Sequence, residues 1–255
     1  MAKTWKEVRA EKRQKNSIVR QEKQASLHHE ASKLSEKEQA LFWQNCRESK
    51  HKIVELHKQE KELQMQRLTS QDNPLLVIDC QFDKLMDAHQ LKSCCSQLLF
   101  SYSAVKNMQK PFKLTFTSCN SENTILNRLK IAQFKDNFEK FAKIIDFSEK
   151  KIEDFDKKEK IVYLTADSEN ELTELEDDKI YVVGALVDKN HYPGLTQEFA
   201  EKNGIKTARL PLKSENLKSR KVITTNQVVE MLCLARDSGN MEESIKKVLP
   251  PRKVK

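Results

Sequence analysis

Glycine and proline are absent from residues 1–72, and the 255-residue chain holds only four glycines and six prolines. No run approaches the ~20 consecutive apolar residues that a membrane-spanning helix needs. The opening MAKTWKEVRAEKRQKNS has no apolar core of the kind a secretory signal carries. The expectation is a chain that neither crosses a membrane nor follows a secretory leader. Six cysteines occur, but none forms C-x-x-C or clusters with histidine. That spacing argues for free thiols and no metal site. The phosphate loop G-x-x-x-x-G-K-[ST], a G-x-G-x-x-G after a strand, the G-x-S-x-G elbow and H-E-x-x-H are all missing, which disfavours the enzymes built on them.

Charge is abundant and unevenly placed. Residues 1–72 carry 16 basic and 11 acidic side chains, 73–183 carry 16 and 19, and 184–255 carry 14 and 8. Mean hydropathy is −0.72. Two basic ends around an acidic middle suit a polyanion, with nucleic acid ahead of a membrane surface; a merely solvated basic surface is the plainer alternative.

Residues 1–72 are rich in strong helix formers, and Phe42, Cys46, Ile53, Leu56 and Leu63 make one narrow apolar stripe along a helix over 34–68. Residues 1–30 are polar enough to be partly disordered and helical only when bound. This basic extension reads equally as a docking or coiled-coil helix and as an arm lying along phosphates. Asn73-Pro74 ends the pattern, and a second domain is expected over 73–255. Continuous apolar runs at 75–78, 112–116, 161–164, 180–187 and 208–212 predict buried parallel strands. Between them, helices are expected over 84–106, over 168–176 behind a Ser168-x-x-Glu171 capping box, and over 196–203. A further helix starts near 222–226 and ends at Gly239, and a short one covers 241–249. The pattern is α/β with a mainly parallel sheet. All four glycines (184, 194, 204, 239) lie in the last third, which points to a site there.

The segments in that third follow a recognisable order. Ile161–Ser168 reads IVYLTADS, Ile180–Thr196 reads IYVVGALVDKNHYPGLT, then come ARLPL at 208–212, SRKV at 219–222 and NQV at 226–228. Upstream stands IDCQFDKLM at 78–86, and LPPRK follows at 249–253. Together they resemble the tRNA position-9 purine nitrogen-1 methyltransferases of the SPOUT superfamily, over roughly residues 74–253. Three positions depart from the family pattern: Ala185 stands where a second glycine is usual, Lys189 where a histidine is common, and Lys213 where a glycine usually follows LPL.

The resemblance implies an α/β domain with a C-terminal deep trefoil knot, acting as a monomer on tRNA with S-adenosyl-L-methionine as methyl donor. It implies a cofactor site at Leu164, Gly184, Asp188, Lys189, Asn190, His191, Tyr192, Thr196, Leu210, Lys221, Val222 and Ile223, and Asp188 as catalytic base. Without the resemblance Asp188 reads first as a turn former or as a group that orients the base, ahead of a catalytic base. A non-catalytic RNA-binding subunit of a tRNA-processing complex is the alternative function. Arg209, Arg220, Lys221, Lys189, Arg128 and Lys130 are candidate phosphate contacts. The nucleus or cytoplasm is expected rather than the mitochondrion, because residues 1–30 include acids that transit peptides avoid.

Overall fold

The computed structural model describes residues 5–134, 137–189, 191–212 and 223–249. They group into two units that divide after Glu62. In the first unit, α1 (Trp5–Ala31) turns at Leu34–Ser35 into α2 (Glu36–Thr69), whose last residues belong to the second unit. Ser35 donates from both its N–H and its hydroxyl to the Glu38 carboxylate, which fixes the start of α2. The rings of His28 and Trp43 meet at 4.8 Å, and Ala31 is buried beneath the turn. Of the expected stripe, Phe42 and Cys46 are half-buried, whereas Ile53, Leu56 and Leu63 are exposed. Residues 5–31 form one helix, which strong formers uninterrupted by glycine or proline favour.

The second unit is built on six parallel strands: β1 (Leu75–Asp79), β2 (Lys113–Thr117), β3 (Ile145–Phe147), β4 (Ile161–Leu164), β5 (Ile180–Gly184) and β6 (Lys206–Ala208). Their order is β3-β2-β1-β5-β4-β6. The registers Ile78↔Val183 and Leu164↔Val183 align the central strands. Both faces are covered, so β1, β4 and β5 in the middle of the sheet read as nearly unbroken apolar runs. Leu76, Ile78, Leu114, Phe116, Tyr181 and Val183 join the core under α3 (Ala88–Lys106), α7 (Thr225–Ser238) and α8 (Met241–Val248). Val77, Ile161, Tyr163 and Val182 face the other way, against Ala200 of α6 (Leu195–Lys202). Short helical turns α4 (Thr124–Arg128) and α5 (Phe138–Ala142) precede β3 in the chain, and residues 129–134 between them wind as a π-helix.

Several expected elements differ. The helix predicted over 168–176 is irregular chain, because its two cap residues have distant partners: the Ser168 hydroxyl pairs with Thr207 and Glu171 with Arg209. The run 180–187 stops being strand after Gly184, and 208–212 contributes only Ala208. The predicted helix 84–106 begins at Ala88, where Asp87 and Gln90 form a reciprocal cap. β3, α4, α5 and the π turn lay outside the sequence expectation. Five cysteines are buried, Cys46 is half-buried and all six are free. Burial raises the Cys94 and Cys233 thiols and pushes Cys95 up to about 11, so these sulfurs are not poised as nucleophiles.

One carboxylate sits inside this core. Asp79, at the end of β1, is 0% exposed. It accepts hydrogen bonds from the Tyr163 hydroxyl at 2.9 Å, from Gln81 Nε2 at 2.6 Å and from the Gln81 N–H at 3.2 Å. Burial raises its pKa despite those donors, and Tyr163 is raised by burial and by Asp79. The folded state therefore holds the Asp79 proton above the unfolded value near ~3.9, and stability falls as pH rises through that window. Tyr163→Phe removes a donor to the charged form. It should cost about 1–3 kcal/mol at neutral pH, and less near pH 4, in urea melts across a pH series.

Candidate active site

Because the strands are parallel, the loops after β4, β5 and β6 leave the same edge of the sheet, where open α/β folds bind ligands. They enclose a cavity of about 190 Å3. Leu164, Thr165, Ala166 and Asp167 line it from the β4 loop, and Val183, Gly184, Leu186, Asp188 and Tyr192 from β5 and its loop. Thr196 enters from the first turn of α6. Arg209, Leu210 and Leu212 follow β6, while Ile223, Thr225 and Val228 come from the start of α7.

Local hydrogen bonds shape the loop after β5. The Ala185 N–H donates to the Asp79 carbonyl at 2.8 Å, and the Val187 N–H approaches the Met86 sulfur at 3.4 Å. Asp188 then closes a turn on itself: its Oδ2 accepts from the Tyr192 N–H at 2.9 Å and its carbonyl from the His191 N–H at 3.1 Å. Lys189 adopts φ 55°, a left-handed conformation that non-glycine residues seldom take. Gly194, at φ 77°, precedes α6 and donates its N–H to Asp167 Oδ2 at 3.0 Å. The Thr196 hydroxyl donates to Thr165 Oγ1 at 3.0 Å.

The lining is apolar with a polar rim. Thr165, Thr196 and Thr225 supply hydroxyls, and Asp167 and Asp188 supply carboxylates. The one lining cation among the described residues, Arg209, is engaged with Glu171 at 3.0 Å and with the Ser168 carbonyl at 2.9 Å. Such a cavity suits a ligand with a flat apolar part and positive charge.

Comparison with known proteins gives the family. Residues 2–254 match the model of tRNA (guanine(9)-N(1))-methyltransferase TRM10/TRM10A. The chain belongs to this family. It is 34% identical over 246 residues to the tRNA (guanine(9)-N1)-methyltransferase of Schizosaccharomyces pombe, covering 95% of this chain and 77% of that one. It is 35% identical over 193 residues to the tRNA methyltransferase 10 homolog A of Rattus norvegicus, where the match covers 74% of this chain and 55% of the relative. The crystal structure of full-length spTrm10 in complex with SAH superposes with a TM-score of 0.61 at 35% identity, over 71% of this chain and 99% of that one.

Within this family frame, the residues expected at the site divide. Leu164, Gly184, Asp188, Tyr192, Thr196, Leu210 and Ile223 line the cavity. Lys189 and His191 do not: both are exposed, and the His191 ring stacks edge-on against Tyr192 at 5.2 Å. Asn190, Lys221 and Val222 lie outside the described residues, as does Arg220. Among the candidate phosphate contacts, Arg209 is taken by Glu171, and Lys130 lies 5.2 Å from the Phe138 ring centre. Arg128 has its Nε buried.

Thr165, Ala166, Asp167, Val183, Leu186, Leu212, Thr225 and Val228 also line the cavity without having been singled out, as does Arg209, which was expected only as a phosphate contact. Their signal was adjacency, since most sit inside or beside the same motifs. Ala185 is fully buried in the core, so its extra methyl group stays out of the cavity.

Gly184 is needed for packing as well as for ligand approach. A Cβ there would meet the Tyr163 hydroxyl at 3.3 Å, Thr196 Cγ2 at 3.4 Å and Phe82 Cε2 at 3.7 Å. Gly184→Val should therefore lower stability by about 1–3 kcal/mol through overpacking and weaken binding of the methyl donor. Urea melts and calorimetry on the same preparation measure both; unchanged affinity in a folded variant contradicts this placement.

Proposed function

We propose that this chain is an S-adenosyl-L-methionine-dependent tRNA methyltransferase that modifies nitrogen-1 of the guanosine at tRNA position 9, working as a monomer in the nucleus or cytoplasm. The observation that carries the reading is the convergence of three strand-end loops, each bearing family motif residues, on one cavity with the Asp188 carboxylate in its lining. The donor set fits the cofactor. Leu164, Leu186, Leu210, Leu212 and Ile223 offer apolar walls, and Asp188 offers negative charge, while the Arg209 charge is balanced by Glu171. When bound, the cofactor supplies an electrophilic methyl group on a positively charged sulfur.

The protein's part is to hold the base and move a proton. Nitrogen-1 of guanine carries a hydrogen at neutral pH, and that proton must leave as the nitrogen forms its bond to carbon. Asp188 takes it on a carboxylate oxygen. The turn closed by the Tyr192 N–H fixes where that carboxylate lies, which is the condition for efficient transfer. The reading includes a trefoil knot. In its support, the start of α7 returns to the same cavity as the β4 and β5 loops, with the Thr225 hydroxyl donating to the Gly184 carbonyl at 3.3 Å.

The first unit is proposed to grip tRNA phosphates. At the helical advance of about 100° per residue, Lys12, Arg13, Arg20 and Lys23 of α1 fall within an arc of roughly 100°, and Glu7, Glu11 and Glu22 lie opposite. In α2, Arg47, Lys50, Lys58 and Lys61 share an arc of roughly 80°, while Glu48, Glu55 and Glu62 lie on a separate one. These basic side chains are exposed. The sorting is partial, since Glu30 falls at the edge of the α1 arc, Glu36 inside the α2 arc, and Lys15 and Lys37 beside the acids; a face richer in positive than negative charge is what supports the phosphate reading.

Two measurements test the reading. Asp188→Asn retains an oxygen able to accept from the Tyr192 N–H but removes basicity. Single-turnover methyl transfer should fall by ~10²–10⁴, with cofactor and tRNA affinities nearly unchanged; a rate within about threefold of wild type removes Asp188 as the base. Replacing Lys12, Arg13, Arg20 and Lys23 with Gln should weaken tRNA binding and flatten its salt dependence by up to ~3–4 in log–log slope. Cofactor affinity should not move. An unchanged salt slope would make the first unit a docking module instead.

A further inference from the structure

The two loops that face each other across the cavity are anchored unequally. Residues 165–170, after β4, are strapped to β6 and the residues beyond it. The Thr165 N–H donates to the Ala208 carbonyl at 3.0 Å, and the Arg209 N–H donates to the Asn170 carbonyl at 2.7 Å. Asn170 Nδ2 donates to the Thr207 carbonyl at 3.2 Å, and the Ser168 and Thr207 hydroxyls pair at 2.9 Å. The Arg209 guanidinium closes the set on the Ser168 carbonyl. This segment is a shelf with little freedom to shift.

The segment 188–194 is built differently. Its near end is closed by Asp188 on Tyr192 and His191, bonds internal to the loop. Its far end is Gly194, which stands at the N-terminus of α6 in a left-handed conformation and has no side chain with which to cap that helix. The Gly194 N–H instead donates to Asp167 Oδ2 on the shelf, across 27 positions of sequence. Two residues on, the Thr196 hydroxyl reaches Thr165 of the same shelf.

We propose that Asp167 is a positioning residue: its carboxylate ties the Gly194 end of the loop to the shelf after β4, and so fixes the loop that carries Asp188. A carboxylate accepting a backbone N–H makes a charge-assisted bond, stronger than a neutral one. With both ends of a seven-residue loop held, Asp188 is confined to one side of the cavity. With the Gly194 end released, the turn around Asp188 persists but swings as a unit. Asp167 thus acts through the loop and not on the reacting atoms. Its effect on methyl transfer rests on the proposed function of the cavity; its effect on the loop does not.

Lys189 makes the loop readable without any activity. It is exposed as the second residue of the segment, and trypsin cleaves after lysine in chain that can adapt to it. Limited trypsin digestion of the full chain without ligand, quantified by mass spectrometry, measures cleavage after Lys189. Asp167→Ala should raise that cleavage about tenfold, the size of effect expected from losing a charged hydrogen bond, without new cleavage in the strands. Asp167→Asn, whose amide oxygen still accepts, should return it to within about threefold of wild type. Asp167→Glu keeps the charge but displaces the oxygen by a methylene group, and should resemble Ala.

Single-turnover transfer should follow the same ranking, falling about tenfold in Ala and Glu and largely recovering in Asn. Unchanged cleavage after Lys189 in Asp167→Ala overturns the proposal. So does an Asn variant protected like wild type yet as poor as Ala in calorimetric binding of S-adenosyl-L-methionine, because the charge would then be touching the cofactor itself. A wild-type chain that binds no S-adenosyl-L-methionine refutes the cofactor reading, while the cleavage ranking still decides the role of Asp167.

Discussion

The hydrogen-bond node at Asp79 sets the geometry on which the cavity depends. Its carboxylate joins the end of β1 to Tyr163 of β4 through the core, and its backbone carbonyl receives the N–H of Ala185, the first residue after β5. Three strand ends are thereby fixed to one another just where the chain leaves the sheet. A buried carboxylate is expensive unless its lone pairs are satisfied, and here Tyr163 and Gln81 satisfy them. The arrangement also explains why glycine stands at 184: the Tyr163 hydroxyl that serves Asp79 occupies the space a side chain would need.

From that fixed edge the loops take different physical roles. The loop after β4 is held from outside by β6 and its extension, and so behaves as part of the sheet. The loop after β5 is tied at its start to Asp79 and Met86, and further on its own turn and the Asp167 carboxylate hold it. It contains Lys189 in a left-handed conformation, the kind of local strain that persists only where the surroundings over-determine it. A proposed base on such a loop gains a defined position without being buried, which a group exchanging protons with a large substrate requires.

How much of this was legible in the sequence depended on whether a residue's partner was near in sequence. β1, β4 and β5 could be read because strands buried on both faces show as unbroken apolar runs, as in Leu75–Ile78 and Ile180–Val183. β3 escaped because three residues with Asp146 exposed in the middle carry no such run. Ser168 and Glu171 had the spacing of a helix cap, but Thr207 and Arg209, nearly forty positions away, claim both side chains. At the site, the resemblance carried Leu164, Gly184, Asp188, Tyr192, Thr196, Leu210 and Ile223 to the cavity. It also nominated Lys189 and His191, which the turn at Asp188 leaves exposed. Asp167 was quoted within a motif and passed over, because nothing local shows that it meets Gly194.

The same carboxylate that is proposed to receive the guanine proton also closes the loop through the Tyr192 N–H. These two duties are linked. An ionised acceptor makes a stronger bond to a backbone N–H than a neutral carboxylic acid does. In the proposed reaction, taking up the proton therefore weakens the turn at the moment the methylated base must leave. The Asp167 bond at the other end is untouched by that proton, so the loop can loosen around Asp188 while staying attached at Gly194. Loss of the proton to solvent restores the turn. In this reading one carboxylate changes charge and one does not, so the turn at Asp188 responds to the proton while the tie at Gly194 does not.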